Sequence, residues 1–323
     1  MSPLRAAVAV AALCAGPAAA VAQPVLALPI DCTPGRDCHV QNYVDRDPGP
    51  GAADFACGSL SYDGHNGTDF ALPSLEAMRA GVEVRAAAAG TVRGVRDRWP
   101  DIAVGMPDAP ALEGQDCGNG VAVDHGEGWV TQYCHMKQGS IAVRTGERVE
   151  PGDRLGEVGL SGKTEFPHLH MSLAHNGLTV DPFDMDMSKA CQGGTQLWRE
   201  PVAYEATGIV GAGLLPRVPG YAELRDAVPP TAPWAAAEGP ALVAWLRAFG
   251  GRRGDVIRFR IEGPEGRVHD AREELDEDQA DYFRATGRKA PEGGFPPGRY
   301  AVRMEIARDG RVVAADSVAV DLP

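Results

Sequence analysis

No run of eighteen or more uncharged apolar residues follows the N-terminal segment of this 323-residue chain, so no membrane-spanning helix is expected in the mature protein. Positive charge is also scarce. Lys and Arg number 31 against 44 Asp and Glu, and the formal net charge of −13 argues against a large sequence-independent affinity for nucleic acid. The seven cysteines include no Cys-x-x-Cys pair, which speaks against a thiolate-ligated zinc site. Long helical periodicities are few, the best short helix lying near Leu75 to Ala80. What the chain has in excess is Gly (40) and Pro (26), a composition that favours turns and short strands.

Residues 1–22 read as a secretory signal: Arg5 supplies the positive start, Ala6 to Leu13 the apolar segment, and Ala20-Val21-Ala22 a small-residue cleavage site before Gln23. Setting aside Cys14 leaves Cys32, Cys38, Cys57, Cys117, Cys134 and Cys191, an even number suited to disulfides in an oxidising compartment. Fifteen pairings are open. Cys32 with Cys38 and Cys117 with Cys134 are the nearest neighbours. An exported protein, periplasmic or extracellular, is expected.

The organisation expected is an N-terminal arm (23–57), a Gly-punctuated β domain (58–199), a Pro-rich connector (200–240) and a small β-sandwich-like domain (241–323). The fold class is therefore mainly β, built from antiparallel sheet. Short Val-rich runs bounded by Gly, such as Gly120-Val-Ala-Val-Asp and Trp129-Val-Thr-Gln-Tyr-Cys, read as strands, with hairpin turns at His125-Gly126-Glu127-Gly128 and His175-Asn176-Gly177. In the last domain Ile257, Phe259 and Ile261 alternate with Arg258, Arg260 and Glu262, and Tyr300, Val302, Met304 and Ile306 alternate likewise, as in half-buried strands. Residues 242–249 and 312–322 add strands, and Glu273 to Thr286 is expected as a charged, exposed helix. Arg252, Arg253, Arg258 and Arg260 read as a solvated basic face.

Three patches of the β domain carry chemistry. Gly64-His65-Asn66-Gly67-Thr68-Asp69-Phe70 can fold an imidazole and a carboxylate toward one point, a suitable donor set for zinc. In Phe166-Pro167-His168-Leu169-His170-Met171, read as a strand, His168 and His170 project from one face and Leu169 from the other. The third, Thr131 to Met136, is a strand ending in His135. Taken together and in this order, the patches resemble the lysostaphin-like (LytM-like) zinc metallopeptidases that cut bacterial cell-wall peptides. The resemblance covers about residues 58–184. Gly118-Asn119-Gly120-Val121, the loop Gly159 to Thr164 and the exit Val180-Asp181-Pro182 belong to it as well.

The resemblance implies an antiparallel β metallopeptidase domain with one Zn2+ held by His65, Asp69 and His170. It implies His135 and His168 as the two catalytic histidines that do not bind the metal, and leaves open which of them is the general base. It also implies peptidoglycan stem or cross-link peptides as the substrate. The alternative is a catalytically silent module that binds cell wall or activates an amidase; such modules usually lack ligands. Phe166 and Ser172 depart from the family pattern. Ser161, Thr164 and Phe166 are candidate substrate contacts, and the excursion Arg93 to Asp116 is expected to form a wall of the cleft. His39, His125, His175 and His269 read as locally bonded or solvated residues.

Overall fold

The computed structural model describes residues 23–188, 191, 194–234 and 239–323; the expected signal segment 1–22 lies outside the described residues. The first part of the chain forms β1 (His39–Asn42), β2 (Thr68–Ala71), α1 (Leu75–Ala80), β3 (Glu83–Arg85), β4 (Gly90–Arg96) and β5 (Asn119–Gly126). It continues with β6 (Trp129–Met136), β7 (Arg148–Val149), β8 (Arg154–Glu157), β9 (His168–His175) and β10 (Leu178–Val180). The second part comprises β11 (Gly208–Leu215), α2 (Tyr221–Asp226), β12 (Ala241–Gly251) and β13 (Val256–Gly263). It ends with β14 (Gly266–Glu274), β15 (Gln279–Lys289), β16 (Gly298–Arg308) and β17 (Arg311–Leu322). No helix among the described residues is long and apolar enough to cross a membrane.

An antiparallel sheet in the order β1-β2-β9-β6-β5-β4-β7, with β10 returning on β9, carries the first part. In β9 the residues Leu169, Met171 and Leu173 enter the core while His168, His170 and Ser172 face the other way, the period-two outcome for a strand with one core face. Residues 23–57 belong to the same packing. Leu26 bridges Trp198, Ile30 bridges Val84, and Leu26, Ile30, Val40, Tyr43 and Phe55 join the first core. Three disulfides cross-link this part: Cys32–Cys38, Cys117–Cys134 and Cys57–Cys191.

The second core, around Leu242, Leu246, Ile257, Phe259, Met304 and Ile306, lies between a three-stranded sheet (β11-β12-β15) and a four-stranded one (β14-β13-β16-β17). The helix expected over Glu273 to Thr286 is not formed. These residues end β14 and build most of β15, which pairs with β12 along its whole length and buries Tyr282. Tertiary pairing overrides the local helical pattern, and the acidic cluster Asp276-Glu277-Asp278 lies in the solvated link between the two strands. Residues 200–240, read from their prolines as a connector, also contribute β11 and α2.

Within the first part, a buried ion-pair network ties the segment after β1 to the residues that follow β10. Arg46 donates to Asp184 O and Asp186 O, each at 2.6 Å, and its guanidinium lies 3.5 Å from the Asp181 carboxylate and 3.6 Å from that of Asp184. One cation thus meets two buried carboxylates. Burial, opposed by the Phe183 N–H bond and the Arg46 charge, pushes the Asp181 carboxyl up to about 7. The folded chain therefore holds this proton more tightly than the unfolded chain. The stabilisation it gives is present at acid pH and lost as pH rises through about 7. Asp181→Asn keeps an acceptor for Phe183 N and removes the titration. Urea unfolding is expected to show the wild type losing more stability than Asp181→Asn between about pH 5 and 8. Parallel profiles would refute the assignment.

Candidate metal centre

Asp69 and His170 are direct cross-strand partners in β2 and β9, and Asn42 of β1 is opposite Asp69 on its other side. Period two then places His168 beside His170. His65 precedes β2. Its Nδ1–H donates to Tyr43 O at 2.7 Å, which leaves Nε2 facing Asp69 Oδ2 at 3.2 Å and His170 Nδ1 at 3.2 Å. His170 Nδ1 is 2.8 Å from Asp69 Oδ1, and Asn42 Nδ2 donates to Asp69 Oδ2 at 2.9 Å. Zinc bonds of about 2.0–2.1 Å at tetrahedral angles separate ligand atoms by about 3.3 Å, so two imidazole nitrogens and a carboxylate at these spacings fit such an ion. Burial alone would push the Asp69 carboxyl up. The charges of His168 and His65 outweigh it and hold the group well below the usual carboxylate range, so Asp69 is an anion.

His135 reaches the same centre by an irregularity in β6. Asn119 pairs with Met136 and Val121 with Tyr133, so Cys134 and His135 both oppose the single residue Gly120. This is a β-bulge, which re-aims a side chain. His135 sits at φ +59°, a left-handed conformation that costs a non-glycine residue about 1–2 kcal/mol. Its Nδ1–H donates to Ser161 O at 2.8 Å, and its ring centroid is 4.7 Å from that of His168. Burial, reinforced by His168 and His170, pushes the His135 imidazole well below its ordinary value, so the ring is neutral. His168 is anchored through Nδ1, 3.1 Å from Thr164 Oγ1 and 3.0 Å from Phe166 O, and its Nε2 lies 3.4 Å from Asp69 Oδ1.

All five residues singled out for metal and catalysis therefore meet at one place. The three candidate substrate contacts divide. Ser161 is fully buried behind His135, its hydroxyl donating to Met136 O at 2.7 Å and accepting from Asn119 N at 2.9 Å. Thr164 is buried behind His168, its hydroxyl donating to Phe166 O at 2.8 Å. Phe166 is half-buried at the rim, its ring stacked on His168 at 4.4 Å. The excursion Arg93 to Asp116 is fastened beside them: Asn119 Oδ1 accepts from Arg98 N and Trp99 N, and Val104 N donates to Thr164 O at 2.9 Å. His39 stacks on Phe249, His175 on Trp129, His125 bonds Thr131 and His269 bonds Thr286, all outside the cluster.

Sequence reasoning missed Asn42 and Tyr43, because nothing in the arm marks them, and Tyr62, whose exposed ring is tilted over His65 at 4.5 Å. Asn119 had a signal in Gly118-Asn119-Gly120, but its task as an anchor for the excursion becomes visible only in three dimensions.

Residues 63–182 match the profile of Peptidase family M23. The chain is 32% identical over 126 residues to the peptidoglycan DD-endopeptidase ShyA of Vibrio cholerae, covering 39% of this chain and 24% of that protein. It is 34% identical over 73 residues to the peptidoglycan DD-endopeptidase ShyC of the same organism, covering 23% and 16%. The matches thus span about a quarter or less of these curated relatives. Among solved structures, the catalytic domain of the prophage-encoded M23 protein EnpA from Enterococcus faecalis aligns at 24% identity over 46% of this chain and 92% of that one, with a TM-score of 0.32.

Asn42→Ala removes a donor that orients Asp69 while leaving the three ligands in place. It is expected to weaken divalent-metal binding by about 10–100-fold, read by titration against a competing chelator. Wild-type affinity in the variant would show that the Asn42 bond does not orient the carboxylate.

Proposed function

We propose that this chain, whose residues 63–182 form a peptidase family M23 domain, is an exported zinc-dependent endopeptidase that hydrolyses peptide bonds in peptidoglycan stem or cross-link peptides. The observation that carries the reading is the convergence of His65 Nε2, an Asp69 oxygen and His170 Nδ1 within 2.8 to 3.2 Å of one another, with two more imidazoles beside them. His65, Asp69 and His170 would hold the ion. A zinc ion there supplies a Lewis acid that acidifies a water and polarises the scissile carbonyl.

The remaining steps belong to the protein's own groups. The Ser161 carbonyl keeps the His135 proton on Nδ1, so Nε2 carries the lone pair and faces the site as a general base. Neutrality near pH 7, enforced by burial, keeps that lone pair available. His168, anchored through Nδ1 and with Nε2 set against the Asp69 carboxylate, is placed as the donor to a developing oxyanion or to the leaving amine. Phe166, against His168, and Tyr62, against His65, offer apolar faces to a substrate chain.

The peptidoglycan substrate is supported by the two relatives named for that activity. Three disulfides support an oxidising compartment, periplasmic or extracellular. The complete five-residue set favours an enzyme over a silent wall-binding or amidase-activating module.

The test is digestion of purified peptidoglycan with detection of new amine ends. Wild type is expected to release them, and chelation or His170→Ala to abolish release together with the metal. His135→Ala is expected to retain zinc and lose about 10²–10⁴-fold in kcat. Zinc bound by a wild type that releases nothing would favour the silent module, and cleavage of unfolded protein alone would overturn the substrate.

A further inference from the structure

We propose that the Cys117–Cys134 disulfide is a positioning element for His135, holding the bulge that turns this imidazole toward His168 and His170. The inference rests on the peptidase reading for its activity arm and on geometry for the rest. Strict alternation along β6 would send Cys134 and His135 to opposite faces. Cys134 pairs with His170 of β9 and so occupies the site face. The extra residue opposite Gly120 brings His135 onto that face too, at the expense of a left-handed backbone.

A strained bulge persists when its surroundings over-determine it. Here Cys117 supplies two restraints. Its sulfur is bonded to Cys134, and its carbonyl accepts the His135 N–H at 2.9 Å. The two glycines that follow have no room for a side chain: a Cβ on Gly118 would lie 2.4 Å from the Ser161 carbonyl carbon, and one on Gly120 would lie 2.4 Å from Tyr133 O. Ser161 closes the clamp, since its carbonyl holds His135 Nδ1 and its hydroxyl joins Asn119 N to Met136 O. None of these contacts involves His65 or Asp69, and Cys134 meets the third candidate ligand, His170, as a β6–β9 register partner, a backbone pairing that Cys134→Ala retains. The disulfide is therefore expected to act on His135 while the ligand triad stands, which separates it from a general staple.

The experiment compares full-length wild type with the double variant Cys117→Ala/Cys134→Ala, with Cys32→Ala/Cys38→Ala as a control in the arm. Zinc content and affinity are measured first, then kcat and KM on peptidoglycan fragments, then the imidazole nitrogen NMR signals of His135. The double variant is expected to keep its zinc and its KM, to lose about 10–100-fold in kcat, and to lose the single Nδ1-protonated tautomer at His135. The control is expected to match wild type. Unchanged kcat with an unchanged tautomer would overturn the proposal, and so would loss of zinc in step with kcat, which would mark the disulfide as general support. If the double variant does not fold, reduction of the folded wild type, with alkylation of Cys117 and Cys134 verified by mass, supplies the same readouts. A wild type that cleaves nothing would sink the peptidase reading, and the His135 tautomer would still decide the clamp.

Discussion

The buried Asp69 carboxylate is the constraint around which the first part of the chain is arranged. Its side chain is 4% exposed and ionised, and an unpaired charge in that position would cost several kcal/mol. It is offset from every side: Asn42 from β1, His65 from the preceding turn, and His168 and His170 from β9. An anion faced by three imidazole nitrogens, two of them anchored at the far ring atom by carbonyl or hydroxyl groups, is an arrangement that favours a cation at its centre. The N-terminal segment is thereby part of the site. Tyr43 and Asn42 orient two of the three candidate ligands, and Cys57–Cys191 with Arg46 ties the same segment to the residues that follow β10.

Legibility in the sequence followed the range of the interaction. His168 and His170 could be placed on one face of a strand because period two is a local property, and Leu169 enters the core as that pattern requires. The hairpins at His125 to Gly128 and His175 to Gly177 were likewise local. His65 and Asp69 could be paired by spacing, but their meeting with His170 depends on the β2–β9 register, which no single segment encodes. The bulge at His135 was invisible, since it consists of a mismatch between two strands. Its trace is the pair of glycines flanking Asn119. Charge misled in the second part. The acidic run after Glu273 suggested an exposed helix, whereas pairing with the buried β12 made the flanking residues strands. Cys57 and Cys191, 134 residues apart, could not be matched by proximity.

The second part is fastened to the first along the edge strand of the main sheet and at the rim of the centre. β1 is the edge of the main sheet, and an open edge invites pairing with other chains. The C-terminal unit covers it: Gln41 Nε2 donates to Ala280 O at 2.8 Å, and the His39 ring stacks on Phe249 at 4.2 Å. Arg247, buried in β12, pairs with Asp281 and donates to Pro73 O at 2.8 Å. β12 is consequently buried on both faces, one against its own sandwich and the other against the connector and the first unit. Burial of this kind makes the unit a fixed brace along the strand that carries Asn42 rather than a tethered arm. The same unit reaches the rim of the centre, where Arg225 of α2 donates to the Glu165 carbonyl beside Phe166, whose ring stacks on His168, so the brace runs from the edge strand to the segment that leads into His168.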